Sequence, residues 1–293
     1  MERWLPQPTQ PYAQLMRLDR PIGLWLLLLP CWWGLLLAQI AGGGGMPNLW
    51  FAFLFLAGAI VMRGAGCTLN DIIDRNFDAQ VSRTKQRPIP SGRVSVKQAF
   101  VFLAAQCPIG LLILLQFNRY TVVLGITSLG IVAIYPFMKR ITHWPQLVLG
   151  LAFNWGALVS WSAVHGFLSW PPIVLYVGGI LWTLGYDTIY AHQDKEDDVL
   201  IGVKSTALQF GESTKFWLIG FFVLSLAAID IALWLVQASL VAHIGVALAA
   251  AHAAWQTSRF RTNDSALSLQ LFKSNRSFGL IITGFLFLDC ILP

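Results

Sequence analysis

The chain has 293 residues, 56% of them hydrophobic and only 12% charged, with a mean hydropathy of +0.62. A soluble core of this length has no room for so much apolar surface, so the composition excludes an ordinary soluble enzyme and indicates a polytopic membrane protein. The net charge of +6 does not call for nucleic acid, because basic cytoplasmic loops account for it first.

Segment 1–20 is polar and carries prolines. Leu15, Met16 and Leu18 alternate there with Arg17, Asp19 and Arg20, the pattern of a cytoplasmic segment lying along the membrane surface. It has neither the short basic region of a signal peptide nor the Arg- and Ser-rich, acid-poor character of a transit peptide. A bilayer core of ~30 Å takes ~20 apolar residues per helix. Such windows follow at 21–40, 48–69, 96–116, 120–138, 145–164, 172–192, 214–236, 239–257 and 277–292. The glycine run 42–45 and the residues Trp170, Pro171 and Pro172 are expected to separate spans.

The expected fold is therefore an all-α polytopic membrane protein, a single domain over 1–293 with nine transmembrane helices. With the N-terminus cytoplasmic and the C-terminus outside, 18 of the 20 Lys and Arg fall on the cytoplasmic side; Arg119 lies outside and Arg63 within a span. This positive-inside bias fits both the count and the orientation. The expected location is a bacterial inner membrane with the active site facing the cytoplasm. Cys31, Cys67, Cys107 and Cys290 are far apart, without a CxxC pair or a His/Cys grouping, and read as small buried hydrophobes.

Eight of the fourteen acidic residues fall into two clusters: Asp71, Asp74 and Asp78, and Asp187, Asp194, Glu196, Asp197 and Asp198. Each lies at the cytoplasmic end of a span that runs from outside to inside. If the second span continues as helix, Asn70, Asp74 and Asp78 at i, i+4 and i+8 share one face. Asp187, Asp194 and Asp198, seven and four apart, share a face in the same way, with Tyr190 and Ala191 between them. Two such faces across a cleft repel unless cations neutralise them. Oxygen-only donors suit Mg²⁺, which binds through one or two carboxylates plus water and substrate phosphate; zinc would need Cys or His. His192, alone, reads as a satisfied neighbour rather than a ligand.

Bases ring the acids. Arg75, Arg83, Lys85 and Arg87 follow the first cluster, Lys139 and Arg140 close the fourth span, and Lys204 follows the second cluster. Metal held by acids and rimmed by bases reads as a diphosphate site. Solvated loop charge is the alternative, but the same helical register occurring twice at matching depth argues against it. Positive-inside bias also predicts many individual bases, which favours Arg75, Lys139 and Arg140 over the outer-loop lysines. Arg63 lies seven positions before Asn70, about two turns deeper, where an Arg needs a partner. A carboxylate on a second substrate or a buried acid such as Asp187 answers that need. Asp230 and Asp289 receive no role.

These residues resemble the UbiA superfamily of intramembrane aromatic prenyltransferases, whose signatures NxxxDxxxD and DxxYAxxDxxxD occur as Asn70, Asp74, Asp78 and as Asp187, Tyr190, Ala191, Asp194, Asp198. The likeness extends through LDRPIG (18–23), MRGAGCTLND (62–71), RPIPSGRVS (87–95), YPFMKRITHWPQ (135–146) and IGVKSTALQFG (201–211). The flanking segments resemble the branch that prenylates 4-hydroxybenzoate in ubiquinone synthesis.

The resemblance implies a central cavity, two Mg²⁺ ions, a polyprenyl diphosphate donor, an aromatic acceptor and a tail directed into membrane lipid. It implies metal ligation by Asn70, Asp74, Asp78, Asp194 and Asp198, with Asp187 assisting. Arg75, Lys139, Arg140, Tyr190 and Lys204 would bind substrate, Arg63 or Arg140 the acceptor carboxylate, and Asp187 the ring proton. Asp74, Asp194, Asp187 and Arg140 are thus the expected catalytic residues. Homogentisate, dihydroxynaphthoate and haem are the other acceptors of such enzymes, and a transporter with an acid-lined path is the alternative of a different class.

Overall fold

The structure is a computed structural model that describes residues 6–81, 84–193, 195, 199–200 and 202–292. A short helix α1 (Gln10–Leu15) precedes α2 (Ile22–Ala41), α3 (Leu49–Asp78), α4 (Val96–Leu114), α5 (Arg119–Ile141), α6 (Pro145–His165) and α7 (Trp170–Ala191). After them come a single turn α8 (Thr206–Phe210) and the long helices α9 (Thr214–Leu235), α10 (Leu240–Arg259) and α11 (Ser265–Ile291). No strand occurs among the described residues.

Seven helical segments are long and apolar enough to cross a membrane, from Ile22–Ala41 to Thr206–Leu235. The helices expected as the eighth and ninth spans are present as α10 and α11 but are not among the seven. Their sequences carry His243, His252, Gln256 and Arg259, and Lys273, Asn275 and Arg276. The expected separators behave differently from one another. Gly43, Gly44 and Gly45 take positive φ after α2 ends, whereas Trp170, Pro171 and Pro172 open α7 with proline at its first positions, where a missing N–H costs nothing.

Several helix starts are fixed by side chains that accept from otherwise orphaned amides. Asn48 accepts from Phe51 N at 3.1 Å, Asn118 from Thr121 N at 3.0 Å, and Ser95 and Gln98 form a reciprocal capping box. At the start of α10, Asp289 accepts from Ser239 N at 3.1 Å and from the Ser239 hydroxyl. Asp289 is therefore a cap joining α11 to α10.

The tightest packing is around α2, α6 and α7, with α9 and α11 against them. At Gly34 a Cβ would lie 2.8 Å from Ala157 Cα, so α2 reaches α6 at backbone distance only because glycine stands there. Trp33, Trp182, Phe222 and Phe278 fill the buried centre. Their polar ends are satisfied: Trp33 Nε1 donates to Gly279 O at 3.1 Å, and Trp182 Nε1 to Asn275 Oδ1 at 3.0 Å. On the other side α3 packs on α4, and α5 packs on α6 but barely touches α3 and α4. The ends of α3, α5 and α7 still meet at one end of the bundle, around a common cavity.

Candidate active site

Helix α3 runs unbroken to Asp78, so Asn70, Asp74 and Asp78 do follow one helical face. Asp71 and Asp74 have no exposed surface, and Asp78 is 7% exposed. Helix α7 behaves differently. It ends at Ala191, so one continuous helix does not carry the expected register from Asp187 through Asp194 to Asp198. The contacts that follow its end are tertiary: His192 Nδ1 lies 3.1 Å from Thr262 O and Nε2 3.1 Å from the Thr214 hydroxyl. Both ring nitrogens are thus occupied, and burial lowers the His192 pKa. Arg83, Asp194, Glu196, Asp197 and Asp198 lie outside the described residues.

A cavity of about 240 Å³ opens between these helix ends. Asn70, Asp78, Arg87, Tyr135, Lys139, Asp187, Tyr190 and Lys204 line it. The two motif ends therefore share a single space, with bases from α5 and the two loops in its wall. A larger open concavity of about 720 Å³ lies among Lys215, Arg261 and Asp264; neither motif contributes to its walls.

At the end of α3 every acid is matched by a base, and of the three only Asp78 lines the cavity; Asp74 and its partner Arg140 lie behind that wall. Asp74 accepts from Lys139 Nζ and from Arg140 Nη2, the latter at 3.2 Å. The Arg140 guanidinium also lies 4.8 Å over the Phe77 ring, a favourable cation–π position. Asp78 accepts from Arg87 Nη1 at 2.7 Å. Asp71 accepts from the same Arg87 nitrogen at 3.2 Å and from Arg17 Nη2 at 2.5 Å. Arg17 takes the left-handed backbone conformation, φ 58°, which costs an L-residue roughly 1–2 kcal/mol. Burial opposes its charge, but Asp71, helped by Cys67 and Asp19, raises its pKa on balance. An ionised carboxylate as buried as Asp71 is tolerable only with such partners.

The segments that supply these bases are themselves anchored. Leu15, Ile72, Ile89, Val94 and Ala99 pack together with Tyr12, clamping α1 and the loop before α4 onto the end of α3. The loop closes on itself through Val94 N donating to Pro88 O at 3.0 Å, while the Thr84 hydroxyl donates to Asp78 O at 2.9 Å. Lys204 N donates to Lys139 O at 2.8 Å, and Lys204 Nζ to Ile141 O at 3.1 Å, tying the segment after α7 to the end of α5. Pro136 sits in α5 one turn before Arg140 and cannot donate to the ladder, which loosens the helix next to the cavity.

Not every expected residue joins the cavity. Arg75 is exposed, and its Nη1 folds back to Ile72 O at 2.9 Å; one position beyond Asp74, it faces about 100° away. Arg87 occupies the place foreseen for it. Arg63 does not line the cavity. Its guanidinium carbon is 5.1 Å from the Phe153 ring centroid, and its Nε is buried without a hydrogen-bond partner among the described residues. It makes no ion pair among them, so the buried-acid partner proposed from sequence is not seen. Tyr135 lines the cavity within electrostatic reach of Asp187, Arg63 and Asp74. Sequence reading passed over Tyr135, although it lies one helical turn before Lys139 and hence on the same face.

Among the described residues no three His, Cys, Asp or Glu converge into a metal-binding group. The donors that face the cavity are nonetheless all hard oxygens, from Asn70, Asp78 and Asp187, and that chemistry fits Mg²⁺ rather than a thiophilic ion.

Fold and site together define an all-helical integral membrane protein with an acid- and base-lined cavity at one end of its bundle. The chain belongs to the UbiA prenyltransferase family, whose pattern matches residues 27–281. It is similar to the mitochondrial 4-hydroxybenzoate polyprenyltransferase of Aedes aegypti, 50% identical over 273 residues that cover 93% of this chain and 62% of that protein. The chain thus spans less than two thirds of that relative. The Homo sapiens protein of the same name is 51% identical over 282 residues, covering 94% of this chain and 74% of that one. A UbiA homolog from Archaeoglobus fulgidus, solved bound to GPP and Mg²⁺, has the same fold: TM-score 0.72 at 18% identity, covering 96% of this chain and 99% of that one. The relatives named mitochondrial overturn the expected bacterial inner membrane, while the apolar helices keep the chain in a membrane.

Proposed function

We propose that this chain transfers a polyprenyl group from an isoprenyl diphosphate to the ring carbon beside the hydroxyl of 4-hydroxybenzoate, releasing pyrophosphate, as a step of ubiquinone synthesis. The observation that carries this reading is the shared cavity, into which both motif-bearing helix ends and the bases Arg87, Lys139 and Lys204 turn. The names of relatives at about half identity support the donor and acceptor. All nine long helices cross the membrane in this reading, with the N-terminus on the side of the cavity; the shared position of the motif ends and the bias of Lys and Arg support it.

Asn70, Asp74 and Asp78 would hold Mg²⁺ together with Asp194 and Asp198, which lie outside the described residues. The archaeal homolog bound to GPP and Mg²⁺ supports a divalent ion; two ions are proposed from the paired motifs. Bound there, the metal would supply positive charge against the departing diphosphate. Lys139, Arg140 and Arg87, which pair with Asp74 and Asp78 in the structure, turn to the diphosphate oxygens, with Lys204 beside them. The same bases thereby pair with the acids seen in the structure and with the phosphates of the donor. A cavity of about 240 Å³ is below the ~300–1,000 Å³ usual for a small-molecule site, so exchange of these ion pairs accompanies donor entry.

The allylic C–O bond breaks with its electron pair leaving on the diphosphate, and the ring carbon of the acceptor bonds to the allylic carbon. Asp187 takes the displaced ring proton. Tyr135 and Tyr190 flank the allylic cation with their rings, and Arg63 holds the acceptor carboxylate below them. The tail leaves past α5, which packs mainly on α6, into lipid. The test is purified protein in detergent with Mg²⁺, geranyl diphosphate and a panel of aromatic acids, read by mass spectrometry. The reading expects a carbon-prenylated 4-hydroxybenzoate in preference to homogentisate or dihydroxynaphthoate; preference for another acceptor overturns it.

A further inference from the structure

Gly23 is buried in the first turn of α2. Its backbone is helical, so a left-handed conformation is not what requires glycine there, and glycine weakens a helix relative to alanine. The reason is space. A Cβ on Gly23 would lie 2.8 Å from both Cζ and Nε of Arg63, closer than carbon atoms pack. The guanidinium of α3 therefore occupies the volume that a side chain at position 23 would fill. From α6, Phe153 presents its ring 5.1 Å from the same carbon, where the electron-rich face attracts the charge. Held between the two, Arg63 Nε is buried with no hydrogen-bond partner among the described residues. A buried donor left unpaired in this way is uncommon and points to a ligand.

We propose that Gly23 and Phe153 form a cradle that aims the Arg63 guanidinium at the acceptor carboxylate, making Gly23 a positioning residue for acceptor specificity. This rests on the reading of Arg63 as the carboxylate anchor. The guanidinium is the free end of a long side chain, so a methyl group at position 23 displaces the guanidinium and leaves the backbone of α2 in place. The displaced donors lose their aim at the carboxylate. An acceptor with no carboxylate is indifferent to the change, and so is the prenyl diphosphate, which in the proposed reading is bound by Arg87, Lys139 and Lys204 of the cavity wall.

The test is steady-state kinetics of the full chain in detergent with Mg²⁺ and geranyl diphosphate, comparing 4-hydroxybenzoate with uncharged 4-hydroxybenzamide. Gly23→Ala is expected to raise KM for the acid about 10-fold, as a small misplacement of a positioning group does, while KM for geranyl diphosphate and for the amide stays within ~2-fold. In an Arg63→Ala background Gly23→Ala adds nothing, because coupled residues are not additive. Phe153→Leu, which adds no bulk, raises the same KM about 3-fold and reads out the cradle even if Gly23→Ala folds poorly. If Arg63→Ala raises the acid KM but Gly23→Ala and Phe153→Leu leave it unchanged, the cradle is wrong and the anchor stands. If Arg63→Ala leaves both the acid KM and the preference for acid over amide unchanged, the anchor itself is wrong.

Discussion

Helices α5 and α7 both deliver side chains to the cavity, yet they are held in opposite ways. In α7, 61% of the apolar window is buried inside the protein; in α5 the figure is 11%. Trp182 of α7 is fully enclosed, stacked on Phe278 and hydrogen-bonded to Asn275, whereas Val123, Ile126, Leu129 and Ile134 of α5 are largely uncovered. One wall of the site is thus built into a rigid core, and the other is a helix packed mainly on α6, with much of its remaining surface exposed. In the proposed reaction the prenyl tail needs such a yielding wall, and the aligned acids need the fixed one.

Substitutions break or sharpen this contrast. The largest effect is expected at Asp74: Asp74→Ala should lower transfer by at least ~10³-fold, the scale of losing charge stabilisation at the reacting centre, with the protein still folded because Lys139 and Arg140 retain access to water. Activity assays beside thermal unfolding in detergent check both halves of that statement. Next, Trp182→Ala in the fixed wall should cost about 3–5 kcal/mol of stability, as for a large aromatic removed from a packed core. Asp71→Asn should follow at about 3 kcal/mol, since Arg17 and Arg87 lose their buried partner; proteolysis would then be fastest in α1 and the loop before α4. The smallest effect belongs to Leu129→Ala in the yielding wall, within ~0.5 kcal/mol. A loss there as large as that of Trp182→Ala would erase the distinction between the two walls.

How much of this was legible in the sequence differs between α3 and α7. Helix α3 reaching Asp78 was written in the spacing of Asn70, Asp74 and Asp78, because a helical face is a local property. The end of α7 was not, since His192 is fixed by Thr262 and Thr214, 70 and 22 residues away. The pairing of Arg17 and Arg87 with Asp71 is non-local in the same sense, and Arg75, adjacent to Asp74 in sequence, was overvalued for its proximity. Tyr135 was available from its one-turn spacing to Lys139. The modest hydropathy of α10 and α11 also has a structural reason: Gln256 and Asn275 are fully buried and hydrogen-bond each other at 3.1 Å, so polar residues there face protein rather than lipid.

The central claim is that acids from both motif ends act on one diphosphate inside the shared cavity. Purified protein supplied with Mg²⁺, 4-hydroxybenzoate and geranyl diphosphate labelled in both its phosphates and its chain tests this directly. Wild-type protein should release one pyrophosphate per prenylated ring, and both products should vanish together on chelation or in Asp74→Ala. Equal turnover by Asp74→Ala, or product formed in the presence of chelator, would contradict the account.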